Sequence, residues 1–415
     1  MIKERLKQLE KSEMYASYQS DLTLKKELNI LRNDFYYQMI GSKNISLVDF
    51  LYKPLDTLSG DAYSARRIDE YRTFYLLVDG MGKGASASFT AVIMTTFINH
   101  LVDKMKEHDS FSLEVLIQES ISYMKPILLE EEVLSIDYIC FDSHYEMLEY
   151  AKFSMPPFLL QDKNDNIIKL KSNNAPLSKW QKNYKVDKYS VKNIEKFLFY
   201  SDGIVENATT SDNTPYVAFI ENDFKNSFTR EEFKEKFFDK IEQQEDDLTL
   251  IFINNLNLNS KRLIEEKAFK SSLEEVDKAN QWYEALLSDL NVDPKILYKS
   301  SLVFTELFMN AYEHGNIGLD SATKHKYLEE DIYFRKLEEL ESQCNKKVTV
   351  EVYKLSEYIV TKIYDEGEGF DTQILSQIFR NSKKFNGRGV FVSRKNSMGI
   401  YYNSKGNCVL ILNKI

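Results

Sequence analysis

"SGDAYS" (59–64) and "FYLLVDGMGKGASASF" (74–89) decide the reading of this chain. The first sets Asp61 directly after a glycine. The second ends an apolar, strand-like run on Asp79 and continues as Gly-Met-Gly-Lys-Gly. Glycine is scarce here: 14 in 415 residues, about half the usual share of roughly 7%. Where it is spent is therefore informative. Gly60, Gly80, Gly82, Gly84 and Gly203 lie in acid-and-glycine motifs before residue 210. Gly315, Gly367, Gly369, Gly387 and Gly389 lie in similar motifs after residue 310. Two separated groups predict two sites.

A chain of this length has room for two or three domains, each with its own core. The formal net charge of −10 argues against wholesale nucleic-acid binding, which wants a basic face. Cys140, Cys344 and Cys408 are scattered, with no CxxC, which fits spaced thiols in a reducing compartment. The sequence shows no obvious membrane span and no signal peptide at "MIKERLKQLEKSEMY", so the expectation is a cytoplasmic protein with no membrane partner.

Residues 1–40 predict a helical segment. Leu24, Leu28, Leu31 and Phe35 form one stripe, and Ile2, Leu6 and Leu9 an earlier one. The stripe reads as a helix on its own domain or as a short coiled coil that would make a homodimer. Between 41 and 256, β-rich runs at 73–78, 134–142, 146–153, 196–201 and 248–254 alternate with helical patterns at 85–107 and 110–130. Hairpin-length gaps predict a largely antiparallel sheet with paired helices. "NNLNLNSKR" (254–262) reads as a linker into a last domain, 257–415. There, helical patterns at 271–291 and 294–313 precede a charged stretch (321–346), a hairpin and a final strand.

Carboxylates recur where these runs begin or end: Asp61, Asp79, Asp202 in "YSDGIVE", and Asp246 and Asp247 in "EDDLTLIFI". Hard divalent cations want such oxygen ligands, and two of them can activate water for attack on a phosphoryl group. One Asp-Gly alone is a common turn; the ordered set is the signal. That set resembles the SpoIIE-type branch of the PPM metal-dependent serine/threonine phosphatases, over about residues 40–256. The resemblance implies a β-sandwich flanked by helices holding two Mn²⁺ or Mg²⁺ ions. Its ligands would be Asp61, Asp79 (bridging), the backbone carbonyl of Gly80, Asp202 and Asp246, the last preferred over Asp247 because the family ligand is the first of the pair. One departure is "KFSMPPF" (152–158), where many relatives carry Asn-Ala-Gly-His before a proline pair. The resemblance also implies that the helices at about 85–130 carry regulation and dimer contacts.

In "FTELFMNAYEHG" (304–315), Glu306 and Asn310 share a helix face. "YDEGEGFD" (364–371) supplies Asp365, Gly367 and Gly369; "FNGRGVF" (385–391) supplies Gly387, Arg388 and Gly389. Glycine-rich backbone can offer N–H groups to phosphates. Singly each is weak. In this order they resemble the N, G1 and G2 boxes of the GHKL ATPases, closest to the anti-sigma-factor serine kinases. This implies a GHKL (Bergerat) α/β sandwich binding ATP with Mg²⁺. Glu306 would be the base toward a serine hydroxyl, Asn310 the Mg²⁺ ligand and Asp365 the adenine acceptor. The glycines would shape pocket and lid, with Arg388 near phosphate. The spacing between the first two boxes leaves room for an insertion at 316–346.

The expected fold class is thus α+β: a PPM-type sandwich, then a GHKL domain, after a short N-terminal helix. The expected function is a bifunctional partner-switching regulator. Its partner would be a STAS-domain anti-anti-sigma protein, with a sigma factor as a further partner. An active phosphatase whose last domain only binds nucleotide and a partner is the alternative. A sensor histidine kinase fits less well, because no dimerisation helix carries a phospho-accepting His before the ATPase.

Overall fold

The computed structural model describes residues 37–40, 44–82, 84–210, 214–370, 372, 393 and 396–415. Two compact units contain Val48–Asn255 and Leu256–Ile415. The helical stripes of residues 1–36 lie outside the described residues. At the end of that expected helical segment, Tyr37–Ile40 instead forms a strand (β1), hairpinned to Asn44–Lys53 (β2) with Tyr37 opposite Leu47 and Ile40 opposite Asn44. The local sequence, Tyr-Gln-Met-Ile, has no helical apolar spacing to compete with that pairing.

In the first unit the strands after β2 are Asp61–Arg67 (β3), Arg72–Gly80 (β4), Val133–Asp142 (β5), Met147–Phe153 (β6), Phe158–Asp162 (β7) and Ile167–Leu170 (β8). Leu177–Ser178 (β9), Asp187–Ser190 (β10), Ile194–Tyr200 (β11) and Leu248–Asn257 (β12) complete them. One sheet has the order β10-β6-β5-β4-β3, with β9 beside β5; the other runs β2-β12-β11-β7-β8. The registered pairs are antiparallel, as the short gaps predict. Tyr75 meets Phe199, and Phe141 meets Phe197, ring to ring between the sheets.

Both faces of β4 are covered. Phe74, Leu76 and Val78 face a core shared with the helices Ala85–Glu107 (α1) and Leu113–Met124 (α2), while the alternate residue Tyr75 meets the other sheet. Two-sided burial explains the unbroken apolar run "TFYLLV". On the outside of the other sheet, Gly203–Glu206 (α3), Ile220–Lys225 (α4) and Arg230–Phe238 (α5) close a second core around Tyr216, Phe224, Phe233, Phe237 and Phe252.

Helix α1 is long and apolar enough, by length and composition, to cross a membrane, against the expectation that no run would be. Half of its most apolar window is buried inside the protein. Ala91, Met94, Ile98 and Val102 pack into the sandwich core. Polar contacts also fix it on β3: Ser64 Oγ donates to Asn99 Oδ1 at 2.6 Å, and Arg66 pairs with Asp103.

A charged pair lies inside the sandwich. Lys152 Nζ donates to Asp137 Oδ2 at 2.7 Å across the β5–β6 hairpin, with both side chains wholly buried, and stands 3.5 Å over the Phe158 ring. Burial pushes Asp137 up to about 6 and Lys152 down to about 8, against the pull of each partner.

The second unit is a five-stranded antiparallel sheet: Leu263–Lys270 (β13), Lys347–Leu355 (β14), Tyr358–Asp365 (β15), Gly399–Tyr402 (β16) and Cys408–Lys414 (β17), in the order β13-β14-β15-β17-β16. Helices Leu273–Asp289 (α6) and Pro294–Asn310 (α7) lie on one face, around Tyr283, Phe304, Phe308, Val350 and Ile411. Asp293 caps α7 by accepting from Lys295 N and Ile296 N, with Pro294 in the first turn, as "NVDP" predicts. Within the segment expected to link the domains, residues 254–257 are the end of β12 and 258–262 form the turn before β13, which starts at Leu263. The charged stretch folds as two helices, Ser321–Glu329 (α8) and Tyr333–Ser342 (α9). Glu313, buried, receives Lys324 and the Tyr333 hydroxyl and so ties both helices to the unit.

Candidate metal centre and candidate nucleotide site

In the first unit the strand register puts Asp61, the first residue of β3, directly opposite Asp79 near the end of β4. Asp202 follows the end of β11, and Asp246 and Asp247 precede β12, its antiparallel partner in the other sheet. Four chain segments thus deliver carboxylates to one end of the sandwich. Their fields overlap. Burial pushes the Asp79 carboxyl up to about 9, and the charges of Asp61, Asp202 and Asp246 add to it. Asp61 is raised well above the usual range, first by burial, with further contributions from Asp247 and Asp202. Ser201 Oγ opposes this by donating to Asp61 Oδ2 at 2.6 Å.

Among the described residues no three His, Cys, Asp or Glu side chains stand as a ready coordination shell. Asp79 instead shares a hydrogen bond with Asp202. The donor set nevertheless fits hard cations: it is all oxygen, Asp61 is buried with Asp79, Asp202 and Asp246 half-buried, and its members repel one another, so bound positive charge would relieve a large cost.

Asp246 and Asp247, adjacent in sequence, differ in placement. Both oxygens of Asp247 are engaged, accepting Leu55 N and Gly60 N at 2.7 Å each. Asp246 acts on Asp79 electrostatically and accepts Asp247 N at 2.8 Å. Gly203 allows this approach: a Cβ there would lie 1.9 Å from the Asp247 carbonyl oxygen. Gly80 N donates to Gly60 O at 3.0 Å, joining the two Asp-bearing turns. In "KFSMPPF", Ser154 takes a left-handed φ of 61°, a conformation natural to glycine, and Met155 is buried.

In the second unit α7 ends at Asn310 and continues as a π-helical turn, Ala311–Asn316. Such turns recur at functional sites. Glu306 and Asn310 are half-buried on the last turns of α7. The π turn brings Gly315 against Asp365, at the end of β15; a Cβ on Gly315 would lie 2.4 Å from Asp365 Cγ. Asp365 is buried and accepts Gly367 N at 2.9 Å. Burial pushes its carboxyl up to about 6, against the Gly367 amide and the charges of Lys405 and Lys346. Tyr402, on β16, is raised by burial and by the charges of Glu306 and Asp365 together, so both acids lie within electrostatic reach of one ring. Gly369 has φ 78°, and Lys405 Nζ donates to Gly367 O at 3.0 Å. Gly387, Arg388 and Gly389 lie outside the described residues.

Sequence reasoning missed three contacts: Ser201 on Asp61, Asp247 on the loop before Asp61, and Asn316. Asn316 accepts Glu366 N at 2.8 Å and donates to Ser271 Oγ at 2.8 Å, tying the π turn to the Asp365 loop. For Ser201 the signal was its place directly before Asp202. The other two join residues far apart in sequence and leave no local trace.

Comparison with known proteins places both halves. Residues 69–255 match the stage II sporulation protein E (SpoIIE) family model, and residues 269–412 the histidine kinase-like ATPase domain. The chain is 24% identical over 169 residues to phosphoserine phosphatase RsbP of Bacillus subtilis, covering 38% of this chain and 40% of that protein. The match thus spans less than half the length of that relative. Among solved structures, the RsbU and RsbW domains of Rv1364c from Mycobacterium tuberculosis align over 90% of this chain and 93% of that one, with 12% identity and a TM-score of 0.46. The SpoIIE phosphatase domain of Bacillus subtilis, with a fragment of its regulatory domain, aligns over 52% of this chain and 65% of that one, at 18% identity and a TM-score of 0.44. From the two family matches, this chain joins a domain of the SpoIIE family to a histidine kinase-like ATPase domain.

Proposed function

We propose that the chain is a cytoplasmic, bifunctional partner-switching regulator. Residues 41–256 remove phosphate from a serine or threonine of a STAS-domain anti-anti-sigma protein. Residues 257–415 bind Mg-ATP and phosphorylate that partner, and can hold a sigma factor. The observation that carries the reading is the convergence of Asp61, Asp79, Asp202 and Asp246 at one end of the sandwich. The printed activity of RsbP, a phosphoserine phosphatase, supports it.

Asp61, Asp79, the Gly80 carbonyl, Asp202 and Asp246 would hold two Mn²⁺ or Mg²⁺ ions, with Asp79 serving both. Bound ions supply a nucleophilic water and neutralise phosphoryl oxygens. The chain's own part is to aim the carboxylates and exclude other water. In the second domain Asn310 would hold Mg²⁺, and Asp365 would accept a hydrogen bond from the adenine amino group. Gly367, Gly369, Gly387, Arg388 and Gly389 border the nucleotide. Glu306 takes the proton of the partner's serine hydroxyl as its oxygen bonds the γ-phosphorus and ADP leaves.

The two sites should push one partner in opposite directions. With ATP, Mg²⁺ and a STAS partner, Asp202→Asn should drive the partner to the phosphorylated form. Glu306→Gln should leave it unphosphorylated, and the double variant should keep whatever state it is given. Mass spectrometry of the partner reads this. Equal phosphorylation in the two single variants, both folded, would show that the sites do not share a substrate. ATP binding without any transfer in the wild type would favour a nucleotide-binding module on a phosphatase.

A further inference from the structure

We infer that Asp247 and Ser201 are positioning residues of the metal centre, which together set Asp61 for its cation. This rests on the metal-centre reading above. Asp61 needs setting because it begins β3, at the exit of the loop 54–60, most of whose residues are exposed or half-buried. Two contacts from the opposite sheet hold it. The Asp247 carboxylate reaches back 192 and 187 residues to Leu55 N and Gly60 N, one oxygen to each, at 2.7 Å. It thereby fixes both ends of the loop that delivers Asp61. Ser201, wholly buried at the end of β11, fixes the carboxylate itself through Oγ to Oδ2 at 2.6 Å.

The two braces share a base. Ser201 N donates to Thr249 O at 3.0 Å, which joins the end of β11 to the start of β12, where Asp247 stands. Gly203 lets the Asp247 backbone lie against the turn after Asp202. One rigid corner therefore carries Asp202 and Asp246 directly and Asp61 at second hand. The adjacent acids divide the work: Asp247 spends both oxygens on backbone amides, and Asp246 faces the cluster.

Partners that orient a ligand from the second layer typically change metal affinity about 10–100-fold when removed. The test is Mn²⁺ binding to the full chain by calorimetry, with the metal-free unfolding midpoint measured in parallel. Ser201→Ala removes the hydroxyl at no change of charge. Asp247→Asn replaces one acceptor oxygen with an NH₂ facing an N–H donor. Each variant should bind Mn²⁺ about 10–100-fold more weakly, with the Mn²⁺ electron paramagnetic resonance signal of the bound ion altered. Wild-type Mn²⁺ affinity in both folded variants, with binding lost in Asp79→Ala, would overturn the positioning roles and leave the metal centre standing. A lowered midpoint with unchanged affinity would also overturn them, since it shows a purely structural contact. If Asp247→Asn shows no cooperative unfolding, Ser201→Ala alone decides. No Mn²⁺ binding by the wild type would overturn both readings.

Discussion

The two candidate sites treat a buried acid in opposite ways. In the sandwich, Asp61 and Asp79 are pushed up by burial and then further by other carboxylates. In the second unit, Asp365 is pushed up by burial alone, and a backbone amide and two lysines pull it back. The first arrangement is incomplete without positive charge from outside. In the second, the amide and lysines offset burial only in part, leaving the carboxyl near 6. On the proposed reading, the difference matches a hard cation to the first site and a hydrogen-bonding base edge to the second.

The sharpest way to break this contrast is to remove the residue both ions would share. Asp79→Ala should bring phosphatase activity down to that of the wild type in EDTA, with the fold intact by circular dichroism. Hydrolysis persisting above that baseline would place the metals elsewhere.

A smaller effect is expected at the second site, where packing sets the geometry. Gly315→Ala puts a Cβ against Asp365 Cγ. Overpacking of this kind costs about 1–3 kcal/mol, so the variant should lower the unfolding midpoint and weaken ATP binding in calorimetry. Unchanged affinity would detach Asp365 from the nucleotide.

The smallest effect is titration. With Asp365 near 6 in the folded unit, the carboxylate proposed to accept the adenine amine is lost as pH falls through 6. ATP affinity should then drop by up to about tenfold per unit. The sign for stability is the reverse. A carboxyl raised above its unfolded value of 3.8 favours the folded state below about pH 4, and that contribution fades as pH rises through 6. An ATP affinity flat from pH 7 to 5 would remove Asp365 from base recognition.

Much of the fold was legible because burial on both faces writes itself as apolar runs. β4, β11 and β12 carry such runs, and Asp79, Asp202, Asp246 and Asp247 stand at or beside their ends. Edges were less legible. β13, "LIEEKAFK", is mostly exposed and charged, so its strand character comes from pairing with β14. Helices α8 and α9 bury only Tyr333 and Leu337 between them, too little for a helical stripe. The candidate site residues stood out by type and place; the preference for Asp246 over Asp247 came from the family resemblance, not from local sequence. The placement of Asp247 depends on amides nearly two hundred residues away.

The Asp137–Lys152 pair inside the sandwich has a consequence for how this sequence can drift. Changing either residue alone strands the other charge between two sheets, at a cost of about 3–5 kcal/mol, a large part of a domain's total stability of about 5–15 kcal/mol. Replacing both with apolar residues of similar volume is often neutral or better. Most single steps toward that better-packed pair therefore pass through a poorly folded ancestor. The ion pair persists as a trap in sequence space, whatever it contributes to the fold.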